Sequence, residues 1–211
     1  MKTFKQLKEE LEQIGHRLGS NPGGVYADSK TGEKHYVKHY KNPDQGKVEA
    51  LTGKIMNHMG IKTLDPEIGN VDGNKHALVT KWNDKLEGMK PSDFHHLDTN
   101  QQNTIGKMYH AAILTKNWDI VGLEHDNISR HKDTGELHSV DAGGAFHFRA
   151  QGGPKEYGPD IAEKQSLRNN PGNASSQVFN HVFHQNPDAE KHGLEAVRNM
   201  DMDHVHSLFK N

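Results

Sequence analysis

The sequence contains no cysteine, which excludes disulfide frameworks, Cys-based zinc sites and thiol nucleophiles. It is also short of apolar residues, at 32% of 211 positions, which is low for one large, closely layered core. A cleft-rich fold with much loop is the expectation. No apolar run approaches the ~20 residues that span a bilayer. Residues 1–14 are charged and helix-patterned, without the apolar stretch of a secretory signal. These absences predict a soluble protein of a reducing compartment with no membrane partner. Charge of one sign is not in excess either, with Lys plus Arg at 26 and Asp plus Glu at 28, so nothing in the net charge draws nucleic acid. The 17 histidines include no HExxH motif and read as a His-rich polar surface. Neighbours such as His95 and His96 would not face one metal from a regular helix.

What is present reads as a single domain in two parts. Phe4, Leu7, Leu11 and Ile14 recur at helical spacing and predict an amphipathic helix over 3–16. A glycine-rich stretch follows, from Gly19 through Ser20, Asn21 and Pro22 to Gly23 and Gly24. Strands are expected at 25–27 and 35–40 across a Thr-Gly turn. Asn42-Pro43-Asp44 opens a helix to about Met59, with Val48, Leu51, Ile55 and Met59 on one face. Strands at 67–71 and 76–81 flank the Asp72-Gly73 turn. The remainder is mainly helical. The longest periodic segment runs from Thr99 to about Trp118, with Ile105, Met108, Ala112 and Ile113 on its apolar side. A short hairpin (Ile128-Ser129, then 137–140) ends at Asp141-Ala142-Gly143. Residues 149–159 are loop, and helices are expected at about 161–168, 174–185, 188–200 and 201–209.

Several residue types in this order carry chemistry. Glycines in a tight turn let backbone N–H groups approach phosphate oxygens without a Cβ in the way. The stretch is not a Walker A loop, because Thr52-Gly53-Lys54-Ile55 lies inside a helix pattern and lacks the final hydroxyl. Lys38, on the strand after the glycines, can reach phosphates as a point charge. Glu49, on the next helix, can pair with it. Further on, Asp119, Asn127 and Asp141 supply what phosphoryl transfer asks of a protein: a carboxylate for the attacking hydroxyl and oxygen ligands for magnesium. Asn127 and Asp141 would stand at the two ends of one hairpin, close in space.

In these stretches the sequence resembles the protein kinase-like superfamily in its minimal bacterial and phage forms, and most of all the HopBF family of bacterial effector kinases. Residues 18–26, Tyr36-Val37-Lys38, 42–50, 117–127, 140–145 and 149–153 carry the resemblance. It implies an α+β fold with a small antiparallel sheet and one main helix in an N-lobe (1–82, hinge included) and a mostly helical C-lobe (83–211). It further implies ATP and Mg2+ as cofactors and transfer of the γ-phosphoryl group to Ser or Thr of a protein. The residue roles follow from it. Gly19, Ser20, Asn21, Gly23 and Gly24 cover the phosphates. Lys38 binds them, paired with Glu49. Thr80-Lys81-Trp82 forms the hinge that meets adenine. Asp119 is the base, and Asn127 and Asp141 hold magnesium. The protein would act as a monomer, delivered from a bacterium into a host cell without a cleaved signal, on the chaperone Hsp90.

Two departures stand out. Asp119 lacks the preceding His-Arg of conventional kinases, and Asn127 follows it by eight residues rather than five, which makes Asp126 a rival for the base. Asp141-Ala142-Gly143 lacks the usual Phe, and no long activation segment with an Ala-Pro-Glu end follows, so control by loop phosphorylation is not expected. The competing readings are a kinase-like enzyme acting on a small molecule or moving a nucleotidyl group, a kinase-like fold used only for binding, and a His-rich metal-binding protein.

Overall fold

The computed structural model describes residues 11–209. Residues 3–10 of the N-terminal helix expected over 3–16 therefore lie outside the described residues. From residue 11 onward the helix expectation fails: the chain is a strand, β1 (Leu11–Gln13). The reason is a sheet edge that would otherwise lack a partner. β1 pairs antiparallel with β2 (Gly23–Asp28), and the Ile14 and Gly15 N–H groups both donate to Val25 O. Buried and half-buried backbone groups must find partners, and here that requirement outweighs helical periodicity.

β2 turns into β3 (Lys34–Lys38), followed by α1 (Pro43–His58), β4 (Lys62–Thr63), β5 (Glu67–Val71) and β6 (Asn74–Lys81). The first sheet has the order β1-β2-β3-β6-β5 and is antiparallel throughout. One face buries Tyr26, Val37, Val71, Ala77 and Val79. On the other, Tyr40 and Leu78 are buried in one cluster with Ala50 of α1. Asn42 caps α1, its side chain accepting from Asp44 N at 3.0 Å, and Pro43 occupies the first turn, where a missing N–H costs nothing. Of the expected apolar face, Ile55 and Met59 are buried and Val48 and Leu51 only partly so. The row that α1 buries against the rest of the molecule includes the polar Gln45, Glu49 and Thr52. That is why its apolar periodicity is weak in the sequence.

The second half opens with β7 (Leu86–Gly88) and a 3-10 turn at Pro91–His96. Next come α2 (Thr99–Thr115), β8 (Ile128–His131), β9 (Leu137–Ser139), α3 (Glu163–Asn169), α4 (Ala174–Gln185), α5 (Asp188–Arg198) and α6 (Met202–Leu208). Asp98 and Gln101 form a reciprocal capping box at the start of α2. α2 is the central helix, with Ile105, Met108, Tyr109, Ala111 and Ala112 fully buried against the Phe179 and Phe183 rings of α4. It ends three residues before Trp118. Lys116 adopts the left-handed conformation (φ 53°) and closes the helix with N–H bonds from Lys116 to Ile113 O and from Asn117 to Ala112 O.

β4, β9, β8 and β7 form a second sheet. Within it β4 pairs parallel with β9, Lys62 opposite His138 and Thr63 opposite Ser139. The strand that follows α1 is thus bonded to the strand that leads into Asp141. A further tie on the end of α1 is His58, whose Nε2 accepts from Asp201 N at 2.9 Å. No helix among the described residues is long and apolar enough to cross a membrane.

Candidate active site

A cleft of about 430 Å³ opens between the first sheet and the second. Leu18, Gly19, Tyr36 and Lys38 line it from the first hairpin, and Thr80, Lys81 and Trp82 from the end of β6. Leu64, Asn83, Asp84 and Leu86 add to it from the connecting segments. Asp126, Asn127, Ser129, Val140 and Asp141 line it from the β8–β9 hairpin.

Lys38 is placed by register. It stands opposite Gly23 on β2 and Leu78 on β6, with its side chain 11% exposed. Its ammonium donates to Glu49 Oε1 at 2.9 Å and to Asp141 Oδ2 at 2.7 Å. These three residues, far apart in sequence, meet at one point on the cleft wall. Glu49 is the deepest of them, its side chain 3% exposed, and its second oxygen accepts a short hydrogen bond from the Tyr40 hydroxyl. Tyr40 is a site residue that the sequence reading missed. Its only signal is a tyrosine two residues past Lys38. Burial and the neighbouring Glu49 keep the phenol protonated far above its ordinary range.

Burial sets the electrostatics first, and partners correct it. Burial alone would lower the Lys38 pKa, but the Asp141 and Glu49 charges carry it well above the usual lysine value. Burial raises Glu49 despite Lys38. Asp141 is also pushed up by burial but is brought below the usual carboxylate range by Lys38 and by the Gly143 N–H, which donates to its Oδ1 at 2.9 Å. Asp141 is held ionised, with 40% of its side chain exposed.

The eight-residue spacing between Asp119 and Asn127 is absorbed by two consecutive turns. Gly122 N donates to Asp119 O and His125 N to Gly122 O, with Gly122 (φ 85°) and His125 (φ 65°) both left-handed. The chain folds back, and Asn127 Nδ2 donates to Asp119 O at 2.6 Å. At the other end of the hairpin Val140 N donates to Asn127 O at 3.0 Å. Asn127 and Asp141 therefore stand side by side at the mouth of the hairpin. Asp119 is half-buried, and burial followed by the charges of Asp141 and Asp126 raises its pKa to about 6. Asp126 is exposed and lines the cleft; Asp119 is not among the lining residues.

The glycine stretch divides. Gly19 lines the cleft, and its N–H and that of Leu18 both donate to the Tyr36 hydroxyl, at 3.3 and 2.9 Å. Ser20, Asn21, Gly23 and Gly24 are not among the lining residues. Gly23 and Gly24 have a local structural reason to be glycine. A Cβ at Gly23 (φ 136°) would fall 1.9 Å from Val37 O, and one at Gly24 would fall 2.3 Å from Gly15 O. Thr80, Lys81 and Trp82 all face the cleft, with the Trp82 and Tyr36 rings 6.5 Å apart. The N–H of Lys81 is committed to Leu64 O and that of Trp82 to Lys34 O. The side-chain donors of the three are committed as well, the Thr80 hydroxyl to Tyr36 O, the Lys81 ammonium to Asp65 and the Trp82 indole N–H to Asp84.

The donor set suits a hard divalent cation. Magnesium is held by one or two carboxylates plus substrate phosphates. Asp141 presents an ionised carboxylate beside the side-chain amide of Asn127, whose nitrogen is taken by Asp119 O. The amide's carbonyl oxygen is then the atom a cation would take. Among the described residues no group of three or more His, Cys, Asp or Glu side chains could hold a metal.

A small antiparallel sheet carrying one helix, a mostly helical second half and a cleft between them make up the minimal kinase-like α+β fold. The chain is similar to the solved structure of a Helicobacter pylori proinflammatory kinase, CtkA, with a TM-score of 0.59 at 15% sequence identity over 96% of this chain and 84% of that one. A likeness at that identity is one of fold, and it does not single out the HopBF family. No family model matches the chain, and no curated protein matches its sequence.

Proposed function

We propose that the protein is an ATP- and magnesium-dependent kinase that transfers a phosphoryl group to a Ser or Thr hydroxyl of a protein. The observation that carries the reading is Lys38 bonded at once to Glu49 and Asp141 on the wall of the cleft. Phosphoryl transfer needs little more from a protein than positioning and charge, and these residues supply both. Lys38 neutralises and orients phosphate oxygens, while Glu49, anchored by Tyr40, sets where its ammonium sits. A magnesium ion bound at Asp141 and Asn127 would screen the charge that develops on the phosphates. Asp119 accepts the proton of the acceptor hydroxyl as its oxygen bonds to the γ-phosphorus and the bond to the bridging oxygen of ADP breaks.

The HopBF resemblance extends the proposal to a eukaryotic acceptor, the chaperone Hsp90. Phosphoproteomics of a eukaryotic lysate treated with active protein and with an Asp141 variant tests this, and mass spectrometry of the acceptor separates phosphate addition from nucleotide addition. Equal phosphorylation by both proteins would refute the kinase reading.

The assignment of the base has its own test. Asp119→Asn lowers turnover on the order of 10²- to 10⁴-fold, the ordinary contribution of a general base, while Asp126→Asn stays within about threefold because its carboxylate acts only as a neighbouring charge. The reverse pattern would make Asp126 the base. A second outcome concerns pH. Asp119 must be ionised to take a proton, and its pKa stands at about 6. The rate at saturating ATP should fall as pH drops through 6 and level off above 7. An acid limb centred near the ordinary aspartate value, about 3.9, would contradict the assignment.

A further inference from the structure

Beyond Asp141 the chain does not wander off as an open loop. It closes around Lys116, the left-handed residue that ends α2 and stands just before Asn117-Trp118-Asp119. The segment from residue 147 to 155 is a small hairpin. Arg149 N donates to Gly153 O and Lys155 N to His147 O, and Phe148 bridges Pro154. At its base the Lys155 side chain turns inward. Its Nζ donates to Gly144 O at 2.7 Å and, in a short bond, to Lys116 O. Lys116 and Gly144 are both buried. Farther along, the Lys116 ammonium itself pairs with Asp160 at 3.2 Å and with Glu163 at 4.0 Å, and lies 5.8 Å from the Tyr157 ring centre. The segment 147–163 is thus tied to one residue twice, once through its carbonyl and once through its side chain.

The two carbonyls that Lys155 joins belong to different working parts. Lys116 O lies three residues before Asp119, and Gly144 O lies three residues after Asp141. Two buried acceptors aimed at one spot repel each other, and an ammonium, with three donors and no acceptor, reconciles them. Resting on the kinase reading, we propose that Lys155 is a positioning residue. Its amine sets the spacing between the loop that carries Asp119 and the loop that carries Asp141, and so the distance from base to metal ligand. It touches neither nucleotide nor acceptor. The arrangement needs no modification of the segment, because the cation that organises it is part of the sequence.

The test uses the full chain with Lys155→Met, which keeps the stem and removes the donors, and Lys155→Arg, which keeps charge and donors. The first readout is kinetic. Lys155→Met lowers kcat roughly tenfold to a hundredfold, as misplacement by about 1 Å does, with KM for ATP within about twofold because the nucleotide contacts lie elsewhere; Lys155→Arg recovers most of the loss. A Lys155→Met enzyme at parental kcat, or one that loses KM and kcat together with no recovery by Lys155→Arg, overturns the proposal. The second readout is amide hydrogen exchange and needs no activity. Residues 117–127 and 141–146 exchange faster in Lys155→Met than in the parent. Parental exchange in both loops overturns the proposal, and would mean that the Phe146 N–H bond to Thr115 O and the Val140 N–H bond to Asn127 O hold the loops without Lys155. If the parent transfers no phosphoryl group to any acceptor, the kinase reading falls, while exchange still decides whether Lys155 joins the loops. A Lys155→Met chain that does not fold moves the decision to Lys155→Gln, whose amide donates to one carbonyl at a time; parental exchange in that variant overturns the proposal too.

Discussion

Asp141→Ala should abolish transfer, lowering turnover on the order of 10³-fold or more, the scale of losing a preorganised charge at the reacting phosphate. Three effects coincide at this position. The ionised carboxylate proposed to hold magnesium is gone. Lys38 loses its 2.7 Å partner and keeps only Glu49. The Gly143 N–H loses its acceptor. The measurement is initial rate with ATP, magnesium and acceptor across a magnesium titration. The deficit should persist at every magnesium concentration, because the ligand is missing rather than weakened. An active variant would remove Asp141 from the mechanism.

Lys38→Met should be nearly as severe for turnover, on the order of 10²-fold, and it also tests the architecture. Glu49 is almost wholly buried, and removing its cation leaves an uncompensated carboxylate. Breaking a buried pair from one side costs about 3 kcal/mol, which for a chain of this size lowers the melting temperature by roughly 6–12 °C. The linkage sign is set by Glu49, whose pKa is already raised by burial and rises further without Lys38. The variant should therefore be least destabilised at acid pH, where Glu49 takes up a proton, and most destabilised above neutrality. The double variant Lys38→Met/Glu49→Gln should recover most of the stability and none of the activity. If thermal melts of the single and double variants coincide at pH 8, the buried pair is not what joins β3 to α1.

The parts of this protein legible from sequence are those written in local signals. The hairpin around Asp72-Gly73, the helix opened by Asn42-Pro43 and the helix at 174–185 each carry their own turn or cap chemistry, and each lies where that chemistry places it. The cluster of Lys38, Glu49 and Asp141 was legible as an order of residue types along the chain, although spacing alone could not establish that they touch. Illegible features were those that depend on a distant partner. β1 is a strand only because β2 offers an edge, and β4 and β7 are two and three residues long and exist only as partners of β9 and β8. Tyr40 and Lys155 act through contacts with Glu49 and with two backbone carbonyls, and nothing beside them in the sequence announces this. The eight-residue step from Asp119 to Asn127 looks like a departure when counted linearly and vanishes once two left-handed residues fold it back.

The two-residue pairing of β4 with β9 has a mechanical meaning. α1, which carries Glu49, runs through a short turn into β4, and β4 is stitched to the strand that delivers Asp141. His58 fastens the same end of α1 to the start of α6. Swinging the helix outward to part Glu49 from Lys38 would tear the β4–β9 sheet bonds or drag the strand before Asp141 with it, so the ion pair and Asp141 are mechanically coupled. On the kinase proposal, a site wired this way has no cheap resting posture in which α1 alone swings away from the cleft.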